Sequence, residues 1–371
     1  RDTLGFVDAL FTATSAVCVT GLIVVNTGVT FSLFGQIVIL CLIQIGGLGF
    51  MTITAMIFMM IGKRITLRER LVIQEAFNAE SLQGMVKMVR NALLVTFTIE
   101  GTACILFTIR FAFEYDLAHA VYYAVFLSVS AFCNAGFDPF GFENSITPYV
   151  ADPIVNFLIM ALIVLGGMGF SVILDVIHVR RWSRLTLHSR VVLLVTAVLI
   201  LSGTLMICLL EWNNPLTLDN GLNPAEKGMA AGFQSVTLRT AGFDTIGQGG
   251  LTPAGQMVSI ILMFIGASPA STGGGIKTTT FFIVLLSTIV MVRRKEDYNI
   301  YHRRLNLSLV RRAQAIVFLA LGLVLVDTVV ISAVESMTGG TESLADVLFE
   351  VVSAFGTVGL TTGITPSLNA A

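Results

Sequence analysis

Four short segments of this 371-residue chain share one pattern. They read SAVCVTGL at 15–22, SAFCNAGF at 130–137, VTLRTAGF at 236–243 and SAFGTVGL at 353–360. Each closes on a glycine and a large apolar residue, and each follows a short helical stretch containing a phenylalanine (Phe11, Phe126, Phe233, Phe349). The chemistry on offer is that of the backbone. Glycine tolerates positive φ, so consecutive carbonyls can face one way, and a ring of carbonyls can replace the hydration shell of a bare cation. A helix ending at such a loop adds the negative end of its dipole. None of the four segments carries a carboxylate before its glycine, which argues against a divalent or unselective cation filter. The candidate ion-binding backbone is therefore Cys18, Val19, Thr20 and Gly21; Cys133, Asn134, Ala135 and Gly136; Arg239, Thr240, Ala241 and Gly242; and Gly356, Thr357, Val358 and Gly359.

The elements that position these loops follow from a repeat. The glycines lie 115, 106 and 117 residues apart. A second motif keeps phase with them: GGLGF at 46–50, GGMGF at 166–170 and GASP at 266–269, offset by 25, 30 and 24 residues. Each repeat reads as membrane helix, half-length helix, glycine loop, membrane helix; in the second these are 91–113, 119–132, 133–137 and 153–177. A half-length helix is too short to span, so it enters from the outside and turns back at the glycine. The expected fold is an all-α integral membrane protein with four pseudo-symmetric repeats around one central pore. The repeats are placed at 1–75, 76–185, 186–300 and 301–371. Only 20 residues precede Gly21 and 12 follow Gly359, so the first helix of repeat 1 and the last of repeat 4 are expected to be absent from this chain.

Composition agrees with a membrane setting. The chain is 55% hydrophobic and 12% charged, against about a quarter charged in soluble domains. Apolar runs at 92–113, 154–176, 191–210 and 313–334 are each long enough to cross roughly 30 Å of hydrocarbon at about 1.5 Å per residue. No cleavable signal peptide is visible, since Asp2 and Asp8 stand where basic residues belong. The five cysteines form no metal or redox spacing. Of 22 Lys and Arg, six fall in 63–90, four in 180–190 and seven in 293–312, which marks these three windows as cytoplasmic.

The apolar stretch 256–292 has 37 residues, about 55 Å as one helix. Pro269 and three consecutive glycines interrupt it, predicting helix, loop and helix. Because Gly266 keeps phase with the glycine pairs of repeats 1 and 2, loop 266–279 should sit below the filter. There it could obstruct the pore as a gate built from Gly266, Ser268, Pro269, Ser271, Gly273, Gly274, Gly275 and Lys277; a static packing kink is the plainer reading. Lys277 would place a cation in a cation path, or else snorkel to the cytoplasm. The sequence Gly275-Ile-Lys-Thr is no phosphate loop: an isoleucine separates glycine and lysine, and no βαβ unit surrounds it.

The single-glycine loops, short basic junctions and Gly/Ser/Thr-rich break together resemble the Trk/Ktr/HKT superfamily of potassium transporters, in particular the ion-translocating subunit of bacterial Ktr systems. The resemblance covers essentially the whole chain. It implies potassium as the transported ion, because the loop glycine is the family's selectivity residue and all four are present. It implies that the loop in the third repeat is the gate. It also implies a homodimer with one pore per subunit, a cytosolic nucleotide-binding regulatory ring on the inner face, and a multi-pass location in a bacterial plasma (inner) membrane. Sodium stays open as an activator or coupling ion, and a sodium-permeable or sodium-coupled relative of the same fold is the alternative. No nucleic-acid partner is expected, and the basic windows could equally meet anionic lipid.

Two other classes fit less well. A coupled transporter for another substrate usually builds on inverted repeats, whereas these all run in one orientation. An intramembrane enzyme needs a nucleophile–base or paired-carboxylate set at membrane depth, and the sequence offers none. Three further charges are expected to be structural. Arg239 should face away from the pore and hold its loop through an acidic partner such as Glu350. Glu100, about 15 Å along its helix from Arg90, and Asp327 should tie helices together rather than bind a coupling ion.

Overall fold

The computed structural model describes residues 4–49, 85–142, 145–294, 299–300, 303–304, 306–338 and 342–366. Among these, thirteen α-helices carry the fold. The basic window 63–90 falls largely outside the described residues.

Repeat 1 contributes α1 (Phe6–Val17), the one-turn α2 (Thr27–Thr30) and α3 (Leu33–Leu48). Repeat 2 runs through α4 (Met85–Phe111), α5 (Leu117–Phe132), α6 (Pro153–Met168) and α7 (Phe170–Val179). Repeat 3 holds α8 (Leu187–Glu211), α9 (Pro224–Thr237), α10 (Pro253–Phe264) and α11 (Thr278–Val292). Repeat 4 holds α12 (Leu307–Thr338) and α13 (Leu344–Gly356). The only strand pairing among the described residues is a two-residue ladder, Asn299–Ile300 with Arg303–Arg304.

Helix starts follow capping chemistry. Asp116, Asp152, Thr186, Asn223, Thr252 and Ser343 each accept a backbone N–H in the first turn of the helix they open. Pro153, Pro224 and Pro253 occupy the first helical position, where no N–H is needed. Among the described residues, three helices are long and apolar enough to cross a membrane: 89–111 within α4, α8 and α12. The helices ending at the glycine loops have 12, 16, 14 and 13 residues, about 18 to 24 Å at 1.5 Å per residue. They are half-spans, as the repeat requires.

The apolar surface points outward. Phe318 on α12 is 78% exposed and Leu209 on α8 is 73% exposed, a distribution that only lipid can solvate. The centre is packed instead by the pore-helix phenylalanines Phe126, Phe233 and Phe349, all fully buried, whereas Phe11 of α1 is partly exposed.

One element departs from expectation. The second membrane helix of repeat 2, predicted as continuous over 153–177, breaks between Met168 and Phe170 with a bend of 98°. Gly169 makes the break at φ +90°, and a Cβ there would lie 2.4 Å from the Pro269 carbonyl oxygen. The third-repeat loop, remote in sequence, packs against this break, while Gly49 in the matching motif of repeat 1 has a similar φ of +77°. Beyond it, Asp175 on α7 accepts hydrogen bonds from Thr186 N–H (3.0 Å), Thr186 Oγ1 (2.9 Å) and Ser189 Oγ (2.5 Å), fixing the short turn into α8.

Candidate functional site: a ring of glycine loops above a bent-back loop

The four glycine loops meet. Their glycines have φ of +87° (Gly21), +70° (Gly136), +80° (Gly242) and +88° (Gly359). A Cβ on Gly21 would lie 2.4 Å from the Ala135 carbonyl oxygen, and one on Gly136 would lie 2.7 Å from that of Ala241. On Gly242 it would lie 2.4 Å from Val358 O, and on Gly359 2.3 Å from Thr20 O. Each glycine therefore abuts the carbonyl that precedes the glycine of the next repeat, and the fourth returns to the first. The ring is closed in chain order, and no side chain fits at any of its four corners.

A second position shares the pattern. Two residues before each glycine, Val19, Asn134, Thr240 and Thr357 all have positive φ, at +57°, +59°, +69° and +50°. This is an uncommon state for a residue with a side chain. Two positive-φ positions separated by one residue thus recur in all four loops. Three of the four residues, Val19, Thr240 and Thr357, are of types that announce no such turn; only Asn134 is of a type that favours it.

Each loop is held from behind by its pore helix. Thr20, Ala135 and Val358 donate their N–H to the carbonyls of Ser15, Ser130 and Ser353, each at 2.8 Å, and Ala241 donates to Thr237 O at 3.0 Å. Ser130 Oγ donates to Phe137 O at 2.6 Å and Thr237 Oγ1 to Phe243 O at 2.7 Å, while Gly359 N–H donates to Ser353 Oγ at 3.1 Å. These hydroxyls were visible as repeated letters but not as clamps. The apolar residues after the glycines, Leu22, Phe137, Phe243 and Leu360, are all buried anchors. Gly356, expected in the loop, is the last residue of α13. Cys18 and Cys133 cap α1 and α5.

Outside the ring lies a cavity of about 510 Å³ lined by all four glycines and by Asp138 and Asp244, each two residues beyond its glycine. Asp244 is consumed by its own turn: it accepts from Ile246 N–H, Gly247 N–H, Gln248 N–H and Gln248 Nε2. Asp138 accepts from Phe140 N–H at 3.2 Å.

Below the ring lies the loop between α10 and α11. It turns back on itself, with Ala267 N–H donating to Gly274 O at 3.1 Å and Ile276 N–H to Phe264 O at 3.2 Å. Its glycines touch the underside of the ring: a Cβ on Gly273 would lie 2.0 Å from Thr240 Oγ1, and one on Gly274 2.3 Å from Thr357 Oγ1. Thr272 Oγ1 reaches Phe132 O at 3.2 Å. Ser268 N–H donates to Gly167 O (3.0 Å) and Thr272 N–H to Gly166 O (3.3 Å), while Phe170 N–H donates to Ala270 O (2.9 Å). The loop is thus stitched to the glycine pair and the helix break of repeat 2. Ser268 Oγ pairs with Thr278 Oγ1 at 3.0 Å, and Ser271 Oγ donates to Ser268 O at 2.6 Å. Lys277 turns inward, its Nζ donating to Gly273 O at 2.6 Å.

The remaining charges sort as follows. Arg239 is buried and faces away from the ring, but not toward Glu350. Its Nη2 donates to Gly266 O at 3.5 Å. The Glu350 oxygens are already taken by Thr361 Oγ1 (2.5 Å), Thr362 N–H (3.0 Å) and Thr365 Oγ1 (2.6 Å), in the turn after the fourth glycine. Three threonines of the local turn outcompete a distant guanidinium. Glu100 receives Gln44 Nε2 at 3.2 and 3.4 Å, tying α4 to α3. Asp327 is half-buried on α12.

The outward apolar surface and helical fold are those of a membrane protein, and the family to which it belongs is one of transporters, not enzymes. The chain belongs to the TrkH family of cation transport proteins, whose model matches residues 1–371. It is 40% identical to the Ktr system potassium uptake protein B of Bacillus subtilis over 368 residues, 99% of this chain and 81% of that protein. It is also 40% identical to the potassium/sodium uptake protein NtpJ of Enterococcus hirae, covering 98% of this chain and 79% of the relative. The crystal structure of the potassium transporter TrkH from Vibrio parahaemolyticus shares its fold: TM-score 0.68 at 16% identity, over 99% of this chain and 80% of that one.

Proposed function

We propose that the protein takes up potassium across the bacterial plasma membrane, selecting it at the ring of Gly21, Gly136, Gly242 and Gly359. The observation that carries this reading is the closed succession of glycine against carbonyl through all four repeats. Two relatives named as Ktr potassium uptake protein B, at 40% and 38% identity, point to the same ion. The repeat boundaries are taken near 75, 185 and 300. The ion path runs from the outer cavity through the ring and is obstructed by loop 266–279, whose glycines abut the ring from below. Opening requires that loop to withdraw. The word "system" in the relatives' names supports a cytosolic regulatory subunit on the basic inner face, and a homodimer accompanies that reading. A membrane potential of about 100 mV supplies about 2.3 kcal/mol per charge, enough to draw the ion inward unaided. A second reading, in which sodium permeates or activates, is supported by the name of the Enterococcus relative.

The test is potassium and sodium flux into liposomes carrying the full-length protein, wild type against Gly242→Ser. Flux that favours potassium, with the preference lost in the serine variant, is expected. Equal ion ratios in the two proteins would remove the ring from the ion path.

A further inference from the structure

The ring is symmetric, but its backing is not. Behind the second loop runs a polar line that joins repeat 1 to repeat 2. Cys133, three residues before Gly136, is fully buried, and its Sγ donates to Gln44 Oε1 at 3.9 Å. Gln44 turns its Nε2 onto both oxygens of Glu100, which is 6% exposed at mid-helix in α4. The Cys133 position is Cys18 in repeat 1, Arg239 in repeat 3 and Gly356 in repeat 4, but the counterparts of Gln44 and Glu100 are apolar. The residue two before the glycine pair is Val164 in repeat 2 and Phe264 in repeat 3. The residue 36 before the ring glycine is Met206 in repeat 3 and Leu323 in repeat 4. Met206 and Leu323 face outward, 46% and 51% exposed, whereas Glu100 is turned inward, and burying such a group is costly unless it is hydrogen-bonded.

The line ends at the ring. The Cys133 side chain has no room to retreat, because a Cβ on the facing Gly47 would lie 2.5 Å from its Sγ and 2.7 Å from its Cβ. Two residues on, the Ala135 carbonyl is the one that abuts Gly21. α3 belongs to repeat 1 and α4 to repeat 2, so the pair Gln44–Glu100 spans the seam that this carbonyl closes. A ring held at one width from behind resists closing on the smaller sodium ion.

We propose that Glu100 and Gln44 are positioning residues that fix the seam between repeats 1 and 2 and thereby set potassium against sodium. This rests on the reading of the ring as the filter. The test measures potassium and sodium flux in liposomes with the full-length protein. Glu100→Ala and Gln44→Leu should each lower the potassium-to-sodium flux ratio by about tenfold, the value of one lost hydrogen bond. The double variant should fall no further than either single one. Glu100→Gln, whose side-chain carbonyl still accepts from Gln44, should keep most of the ratio. A purely structural tie would change the amount of folded protein or the total flux and leave the ratio alone. An unchanged ratio in Gln44→Leu, or fully additive losses in the double variant, overturns the proposal; Gln44→Leu decides alone where Glu100→Ala does not fold. Gly136→Ser is measured beside them. If it too keeps the wild-type ratio, the filter reading fails. If it loses selectivity while Gln44→Leu does not, only the present inference fails.

Discussion

The two levels of the pore obey different rules. At the ring, four repeats do one thing: positive φ at the glycine and two residues before it, and a carbonyl against the next glycine. One level below, the described repeats diverge. α3 of repeat 1 and α6 of repeat 2 both end at a positive-φ glycine, Gly49 and Gly169, the second with a bend of 98°, whereas repeat 3 opens a loop between Phe264 and Thr278. Symmetry belongs where an ion must be surrounded, because coordination needs equivalent oxygens on every side. Asymmetry belongs where a path is closed, because one inserted element suffices and three more would collide with it.

Breaking the upper level should therefore change which ion passes, and breaking the lower level should change how much. The largest effect is expected at Gly242→Ser. Its Cβ would meet Val358 O at 2.4 Å in a backbone with φ +80°. Steric displacement together with backbone strain of a few kcal/mol should cost about 100-fold in the potassium-to-sodium ratio. Next comes Gly273→Ala. Its added methyl has Thr240 Oγ1 at 2.0 Å and Ala267 Cβ at 2.6 Å, with ring and loop on opposite sides. The loop, the less constrained of the two, should be pushed down, raising basal flux by about tenfold, as one lost hydrogen bond would, with the ion ratio unchanged. A changed ratio at unchanged amplitude would show that the two levels are not separable.

The separation was only half legible in the sequence. The glycines, their spacing and the break around Pro269 could be read because glycine and proline state backbone geometry directly. The pairing of Gly169 with Pro269 could not, since GGMGF looks like GGLGF until the loop of another repeat arrives. Val19, Thr240 and Thr357 stayed hidden for the opposite reason: they adopt strained backbone because their neighbours dictate it. Arg239 shows the limit of matching charges by eye. Glu350 was the partner suggested on paper, but its carboxylate is satisfied first by the threonine-rich turn after the fourth glycine.

Lys277 sharpens the lower level. Its ammonium clips the loop to the Gly273 carbonyl and places a positive charge beside a cation path. Lys277→Met removes both the clip and the repulsion, so both changes act toward opening. Basal potassium flux should rise by about threefold to tenfold, in the range of one charge-assisted hydrogen bond, with the ion ratio unchanged. A fall in flux would place the lysine outside the obstruction.

The smallest effect lies at the mouth. Asp138 sits in the cavity wall just outside the ring, beyond the membrane-spanning helices. Burial against its loop pushes its carboxyl up to about 6, partly offset by the hydrogen bond from Phe140 N–H. The side chain is charged above that pH and neutral below it. A negative charge at the mouth of a cation path raises the local ion concentration. Potassium flux should therefore fall by about twofold as the external pH is lowered through 6, an effect of the size expected for one partly screened charge. Asp138→Asn should run at the lower level across the range, with no inflection. Its effect on stability should have the opposite sense: a carboxyl whose folded-state value is raised costs stability once ionised, so the asparagine variant should gain thermal stability at neutral pH relative to wild type and lose that advantage below pH 6. An inflection that survives in Asp138→Asn would move the titration to Asp244, the other carboxyl of the same wall, which burial also raises.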